Sequence, residues 1–272
     1  NAGVAGATLS YTDGTPKTAT ADGSGNYSFT VSYSWTGAVT PSKSGYTFSP
    51  TSRSYSNVTS DQRAQNYTAT AITPPISGNA GVGGATLSYT DGTPKTATAD
   101  GSGNYSFTVS YSWSGTVTPS RSGYTFNPAS RSYSNVVSDQ TGQDYTATLQ
   151  TFTLTYTAGP NGSISGTSPQ TVSYGGSGTA VTAVPNAHYH FVQWSDASTA
   201  NPRTDTNVTA NISVTASFAI NPYTLSYTAG ANGSIRGSTP QTVNYGASGT
   251  AVSAGPTTGY TFVQWSDGPT AN

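Results

Sequence analysis

Ten aspartates, nine lysines or arginines and two histidines make up all the charged and imidazole side chains of this sequence. Asp22, Ser24 and Asn26 alternate oxygen-bearing side chains, and Asp100, Ser102 and Asn104 repeat the pattern. Such spacing could hold calcium, although it lacks the sixth-position glycine and the bidentate acid of an EF-hand loop. The competing reading is turn chemistry, because Asp and Asn beside Gly bond readily to their own backbone. No metal is therefore expected, and Asp22, Asn26, Asp100 and Asn104 remain the calcium candidates. His188 and His190 form an H-x-H pair on one strand face, a spacing that could supply two metal ligands. Their counterparts in the next repeat are Gly259 and Thr261, and neither Cys nor Glu exists to complete a site, so both read as decoration facing solvent.

Hydrolysis by paired acids needs two carboxylates converging in a cleft. Asp13, Asp22, Asp91 and Asp100 instead sit beside glycine in turn contexts. No serine lies in a Gly-x-Ser-x-Gly elbow between a strand and a helix, and Gly23-Ser24-Gly25 reads as a hairpin. Neither catalytic residues nor a cofactor are expected. The six arginines and three lysines are scattered singly and the formal net charge is -1, whereas phosphate binding needs clustered cations, so nucleic acid is not an expected partner. No apolar run approaches the roughly 18 to 20 residues that span a bilayer, and no membrane insertion is expected in this segment.

These residues must be positioned by strands. Glu and Met are absent, charged residues are 7% of the chain, and Gly, Ser, Thr and Tyr dominate. Helix formers are scarce, while Thr, Tyr and Val favour pleated strands. Aromatics at 11% with near-zero net charge argue against disorder.

The chain is repetitive. Asn1-Ala2-Gly3-Val4 returns as Asn79-Ala80-Gly81-Val82, about 78 residues later, and a second unit at Leu154-Thr155-Tyr156 returns at Leu225-Ser226-Tyr227, about 71 residues later. Tyr27, Phe29, Val31 and Tyr33 alternate with polar residues, as do Tyr105, Phe107, Val109 and Tyr111, which predicts a strand with one dry face in each copy. Phe152, Leu154 and Tyr156 predict another, and Ile212, Val214, Ala216 and Phe218 a further one. Asp13-Gly14, Asp22-Gly23 and Gly45 punctuate the first unit, and Asn161-Gly162 and Asn232-Gly233 read as hairpins in the second. The expected fold is all-β with little or no helix: small antiparallel β-sandwich modules followed by small β-grasp-like modules. Expected bounds are 1–71 and 72–149 for the sandwich copies, then 150–220 and 221–272 for the second type. Recurrence of Tyr27, Phe29 and Trp35 as Tyr105, Phe107 and Trp113 assigns most aromatics to cores rather than to a sugar-binding platform.

The first module lacks a counterpart of Pro74 through Gly78, and Asn272 corresponds to Asn201, ahead of the strand at Ile212 to Phe218. Without an initiator Met or a signal peptide, the sequence reads as an internal piece of a longer array. The alternative is that neighbouring copies supply the missing strands by edge addition.

Gly83-Gly84-Ala85-Thr86-Leu87 followed by Asp100-Gly101-Ser102-Gly103-Asn104-Tyr105-Ser106-Phe107 resembles the signature of carboxypeptidase-regulatory-like and collagen-adhesin B-type modules, prealbumin-like sandwiches used as stalk units. Some collagen-adhesin modules carry a Lys-to-Asn or Lys-to-Asp isopeptide bond, which directs attention to Lys17 and Lys95. Both lie in Asp-Gly-Thr-Pro-Lys turns, where a solvated lysine is expected. Gly259-Tyr260-Thr261-Phe262-Val263-Gln264-Trp265 resembles the hallmark of the internalin-type B repeat, and His188 through Trp194 preserves its aromatic framework. The resemblances imply extracellular display on a bacterial surface protein.

The leading expectation is a non-catalytic structural or adhesive segment at the cell surface, with its own neighbouring modules or chains as partner and surface or matrix glycans as a further one. Self-assembly into filaments and service as a carbohydrate-binding accessory region of a secreted enzyme are the alternatives. Sequons at Asn26, Asn57, Asn66 and Asn207 arise readily by chance in a chain this rich in Asn, Ser and Thr.

Overall fold

Alternation of apolar and hydroxyl side chains produces strands throughout. The computed structural model describes residues 1–271; among them there are 24 strands and no helix, and so no helix long and apolar enough to cross a membrane. The chain divides into two compact units, 1–149 and 150–272.

The second first-type module is the complete one. Its main sheet orders Arg131–Val136, Trp113–Ser120, Thr86–Asp91 and Thr93–Thr98, all antiparallel. Opposite it, Pro75–Asn79 pairs with Asn104–Thr108, and Tyr124–Asn127 pairs with Thr146–Leu149. The inward residues of these strands, including Ile76, Leu87, Val109 and Val117, form one core around Trp113. Tyr89 stacks on Phe107 at 4.1 Å and meets Trp113 edge-on, and the indole N–H donates to Thr90 O at 2.8 Å. Of the predicted strand from Tyr105 to Tyr111, Asn104–Thr108 is present with Tyr105 and Phe107 inward; Val109 beyond it is also buried, and Tyr111 lies in a turn.

In the first module the main sheet is the same: Thr15–Thr20, Thr8–Asp13, Trp35–Ser42 and Arg53–Val58. The predicted strand at Tyr27 to Tyr33 is the exception, for none of these residues joins a ladder. Its counterpart pairs with Pro75–Asn79, a strand whose equivalent positions fall ahead of Asn1. Alternation supplied a dry face, but a strand also needs a hydrogen-bonded neighbour. Tyr27, Phe29 and Val31 are accordingly only half-buried, against near-complete burial of Tyr105, Phe107 and Val109.

In the second unit, Gln170–Ser173, Thr151–Ala158, Ile212–Ile220 and Tyr189–Trp194 form a mixed sheet in that order, with Thr151–Ala158 and Ile212–Ile220 parallel. Gly162–Ser165 pairs with Thr182–Pro185. Asn161-Gly162 turns the chain, with Asn161 at φ 69°, yet it makes no hairpin: the strands on either side pair with other partners in two different sheets. In the second repeat Pro222–Leu225 pairs with Gln241–Asn244 and Gly233–Arg236 with Ser253–Pro256, and Asn232-Gly233 is likewise a corner rather than a hairpin. Residues 226–230 form no ladder.

Each first-type main sheet carries a bulge between Trp35 and Gly37 or between Trp113 and Gly115. A Cβ on Gly115 would enter the six-membered ring of Trp113, so the indole lies flat over the glycine. Gly115→Ala is expected to destabilise the second module by about 1 to 3 kcal/mol through overpacking, read as a lower denaturant midpoint.

Candidate functional site

The loops at Asp22 and Asp100 are built as hydrogen-bonded turns. Asp22 Oδ1 accepts the N–H groups of Ser24 at 2.9 Å and Asn26 at 2.8 Å, and these bonds hold the carboxyl below its ordinary range. Asp100 Oδ1 accepts Ser102 N–H and Asn104 N–H, each at 2.9 Å. The amide oxygens of the two asparagines are also engaged: Asn1 Nδ2 donates to Asn26 Oδ1 at 3.1 Å, and Asn79 Nδ2 to Asn104 Oδ1 at 2.9 Å. Asn1 and Asn79 thus tie each loop to the start of its module. Among the described residues, no group of three or more His, Cys, Asp or Glu side chains converges.

Lys17 and Lys95 each reach across a hairpin to an aspartate, Asp13 at 3.1 Å and Asp91 at 3.2 Å, with the lysine side chains largely exposed. The aspartates are well covered and also accept the N–H of Ser32 or Ser110. The pair fastens the tip of one hairpin to the loop that follows the Tyr27 or Tyr105 segment.

The histidines are exposed, as expected, but they are not idle decoration. His188, at φ 68°, stacks on Tyr245 of the next repeat with centroids 3.4 Å apart and planes 6° from parallel. His190 Nδ1 lies 3.0 Å from Asn221 Oδ1, and Asn221 N–H donates to His188 O at 2.8 Å. Both rings therefore belong to the junction between the two second-type repeats. Sequence reading missed this because the junction joins residues from two copies.

A second arrangement was also missed. Arg203, only 6% exposed, forks onto Asp205, with Nε to Oδ2 at 2.9 Å and Nη2 to Oδ1 at 2.7 Å, and bonds Asp196 at 2.8 Å. Its guanidinium covers the face of Trp194, 5.5 Å from the ring, and Tyr156 O–H donates to Asp205 at 2.8 Å. Gln170 and Gln241 are buried too, and each amide clasps two loop segments, Gln170 through Thr167 O, Thr179 O and Thr179 N–H. Recurrence of Gln170 as Gln241 was the available signal. The position equivalent to Arg203 falls past Asn272, and Asn272, the counterpart of the Asn201 that clasps Ala183, lies outside the described residues.

A groove of about 780 Å³ in the first module is lined by the Tyr27 to Val31 segment, residues 62–66 and the side chains of Trp35, Val39, Tyr55 and Val58.

Arg203→Ala leaves Asp205 facing a buried edge without its cation and is expected to cost about 3 kcal/mol in the first repeat, measured by denaturant unfolding. Hydrogen bonds from Arg203 and Tyr156 hold Asp205 below the ordinary aspartate value of 3.8. Its contribution is therefore complete above that value and is lost as pH falls through the lowered one, so acid below about pH 4 is expected to weaken the native repeat more than the Ala variant.

Residues 152–222 and 223–272 each match the family described as the divergent InlB B-repeat domain. No curated protein matches the sequence. Among solved structures, the Bacillus anthracis TIE protein is similar at a TM-score of 0.53 and 11% identity, over 79% of this chain and 48% of that one. The chain thus spans about half the length of that structure, and at this identity the likeness is one of fold. Residues 152–272 are thus similar to B-repeat domains.

Proposed function

We propose that this chain is a non-catalytic, extracellular repeat segment of a bacterial surface protein, serving as a stalk or fibre that holds other parts at a distance. The observation that supports it is the serial arrangement of cores. The three core clusters draw on residues 2–67, 76–145 and 154–216 respectively, each within one module. Such an array bears load module by module, as repeat proteins do when each unit contacts only its neighbours. The B-repeat match of the second half agrees with display on a bacterial surface, and the prealbumin-like resemblance of the first half belongs to this proposal as well. Neighbouring modules are the partner it assigns.

A filament with strands exchanged between chains is the second reading; in it a strand such as Pro75–Asn79, which pairs with Asn104–Thr108, would come from a neighbouring chain. Service as a glycan-binding accessory has less support. The aromatics stack mainly on one another inside the modules; of the well-exposed rings, Tyr33 lies in the first module, while Tyr223, Tyr245 and Tyr260 lie in the last, where Tyr245 is itself stacked on His188.

Pulling single chains from their ends tests the stalk reading. Unfolding is expected in separate steps, each first-type module releasing about 25 nm of contour, from roughly 70 residues at about 3.5 Å each. One cooperative rupture of the whole chain would contradict it.

A further inference from the structure

In two modules of different type the entering strand lies beside the departing one, and both run the same way. In the second module Pro75–Asn79 runs parallel to the stretch 140–145, which leads directly into the last strand, Thr146–Leu149. Four backbone bonds join them: Gln140 N–H to Pro75 O at 2.9 Å, Ser77 N–H to Gln140 O at 2.8 Å, Gln143 N–H to Ser77 O at 3.0 Å and Tyr145 N–H to Asn79 O at 2.8 Å. On its other edge Pro75–Asn79 pairs along its whole length with Asn104–Thr108, and Ile76 is fully buried in the core. Gly78 passes so close to Gln143 that an added Cβ would sit 2.6 Å from its carbonyl carbon and oxygen.

The module spanning 150–220 reaches the same arrangement with a different sheet. Its first strand, Thr151–Ala158, pairs in parallel with its last, Ile212–Ile220, in a register that runs from Leu154 opposite Ile212 to Ala158 opposite Ala216. Gly159 N–H extends this ladder to Ala216 O at 2.8 Å, and Thr157 Oγ1 meets Thr215 Oγ1 at 2.7 Å across it. The start of the ladder is fastened by Thr153 N–H donating to Asn211 Oδ1 at 2.9 Å.

Parallel neighbours at the two ends of a module have a mechanical consequence. The chain enters at one end of the ladder and leaves at the other, so tension along the chain slides the strands past each other. All rungs are then loaded together, and none can break ahead of the rest. Hairpins such as Thr86–Asp91 with Thr93–Thr98 lie behind this ladder and carry no tension until it fails. A ladder opened from one end instead gives way rung by rung. We propose that the paired first and last strands of modules 72–149 and 150–220 are shear clamps, which make each module resist stretching along the chain far more than opening from the side. The proposal rests on the stalk reading for the purpose of the clamp and specifies where that load is borne.

The chain contains no cysteine, so paired substitutions in the 272-residue protein place handles for optical tweezers at chosen points. Thr73→Cys with Gln150→Cys loads the second module in shear, and Thr73→Cys with Asp139→Cys opens the same ladder from the Pro75 end. For the next module, Gln150→Cys with Pro222→Cys gives shear and Gln150→Cys with Ala210→Cys gives opening from one end. All five positions are exposed, and matching denaturant midpoints are expected to show that every form is equally folded. At one loading rate the same-end handles are expected to rupture each module at a force at least about twofold lower, because forced unfolding follows the barrier along the pulled direction rather than the equilibrium stability. Equal forces under the two loadings would overturn the clamp whatever the end-to-end trace shows. A single rupture end to end would count against the stalk reading and leave the difference between loadings intact.

Discussion

A strand of five residues, Pro75–Asn79, governs the first-type module. It lies between Asn104–Thr108 and the stretch around Gln140 to Tyr145, and both need its backbone. With it in place, Tyr105, Phe107 and Val109 are sealed inside a core built on one tryptophan. The same aromatic sequence in the first module joins no ladder and is half-buried. A module of this size has little buried area in reserve, so one strand decides whether the core is closed.

The second type of module solves the same problem with a strand from its other end. Ile212–Ile220 runs parallel to Thr151–Ala158 and antiparallel to Tyr189–Trp194, so it is the central piece of the sheet. Polar packing then finishes the closure: Arg203 lies over Trp194 and is neutralised by Asp205 and Asp196. In the following repeat Tyr227, Phe262 and Trp265 still meet ring to ring, but Trp265 is less buried than the fully covered Trp194. In both module types, then, the element that closes the core lies at a module boundary, where a chain of such units would be joined.

Much of this was legible in the amino-acid order. Period-two alternation located the inward faces of Tyr105 to Val109 and of Ile212 to Phe218, and the fixed offset between Trp35 and Trp113 marked them as core. Partners were harder, because alternation identifies a face and not the neighbour that will bond to it. Asn161-Gly162 announced a turn correctly, but the strands beside it pair elsewhere. The Arg203 cluster brings together Tyr156 and Asp205 from 49 residues apart, and no local pattern foretells such a meeting. His188 and His190 looked like a ligand pair or like ornament, and the structure engages both with Tyr245 and Asn221 in the next repeat. The oxygen-bearing positions at Asp22, Asn26, Asp100 and Asn104 are joined to backbone and amide donors, as Asp and Asn beside glycine commonly are.

Amide hydrogen exchange on the unmodified chain tests most directly whether the entering strand closes each first-type module. Because the two copies share a chain and nearly a sequence, each serves as the control for the other. The account expects slow exchange at Val109, Gln140 and Gln143, which bond to residues 74–77, and fast exchange at Val31, Gln62 and Gln65. Equal protection of the two sets in the isolated chain would show that the first module closes without that strand and would contradict the account.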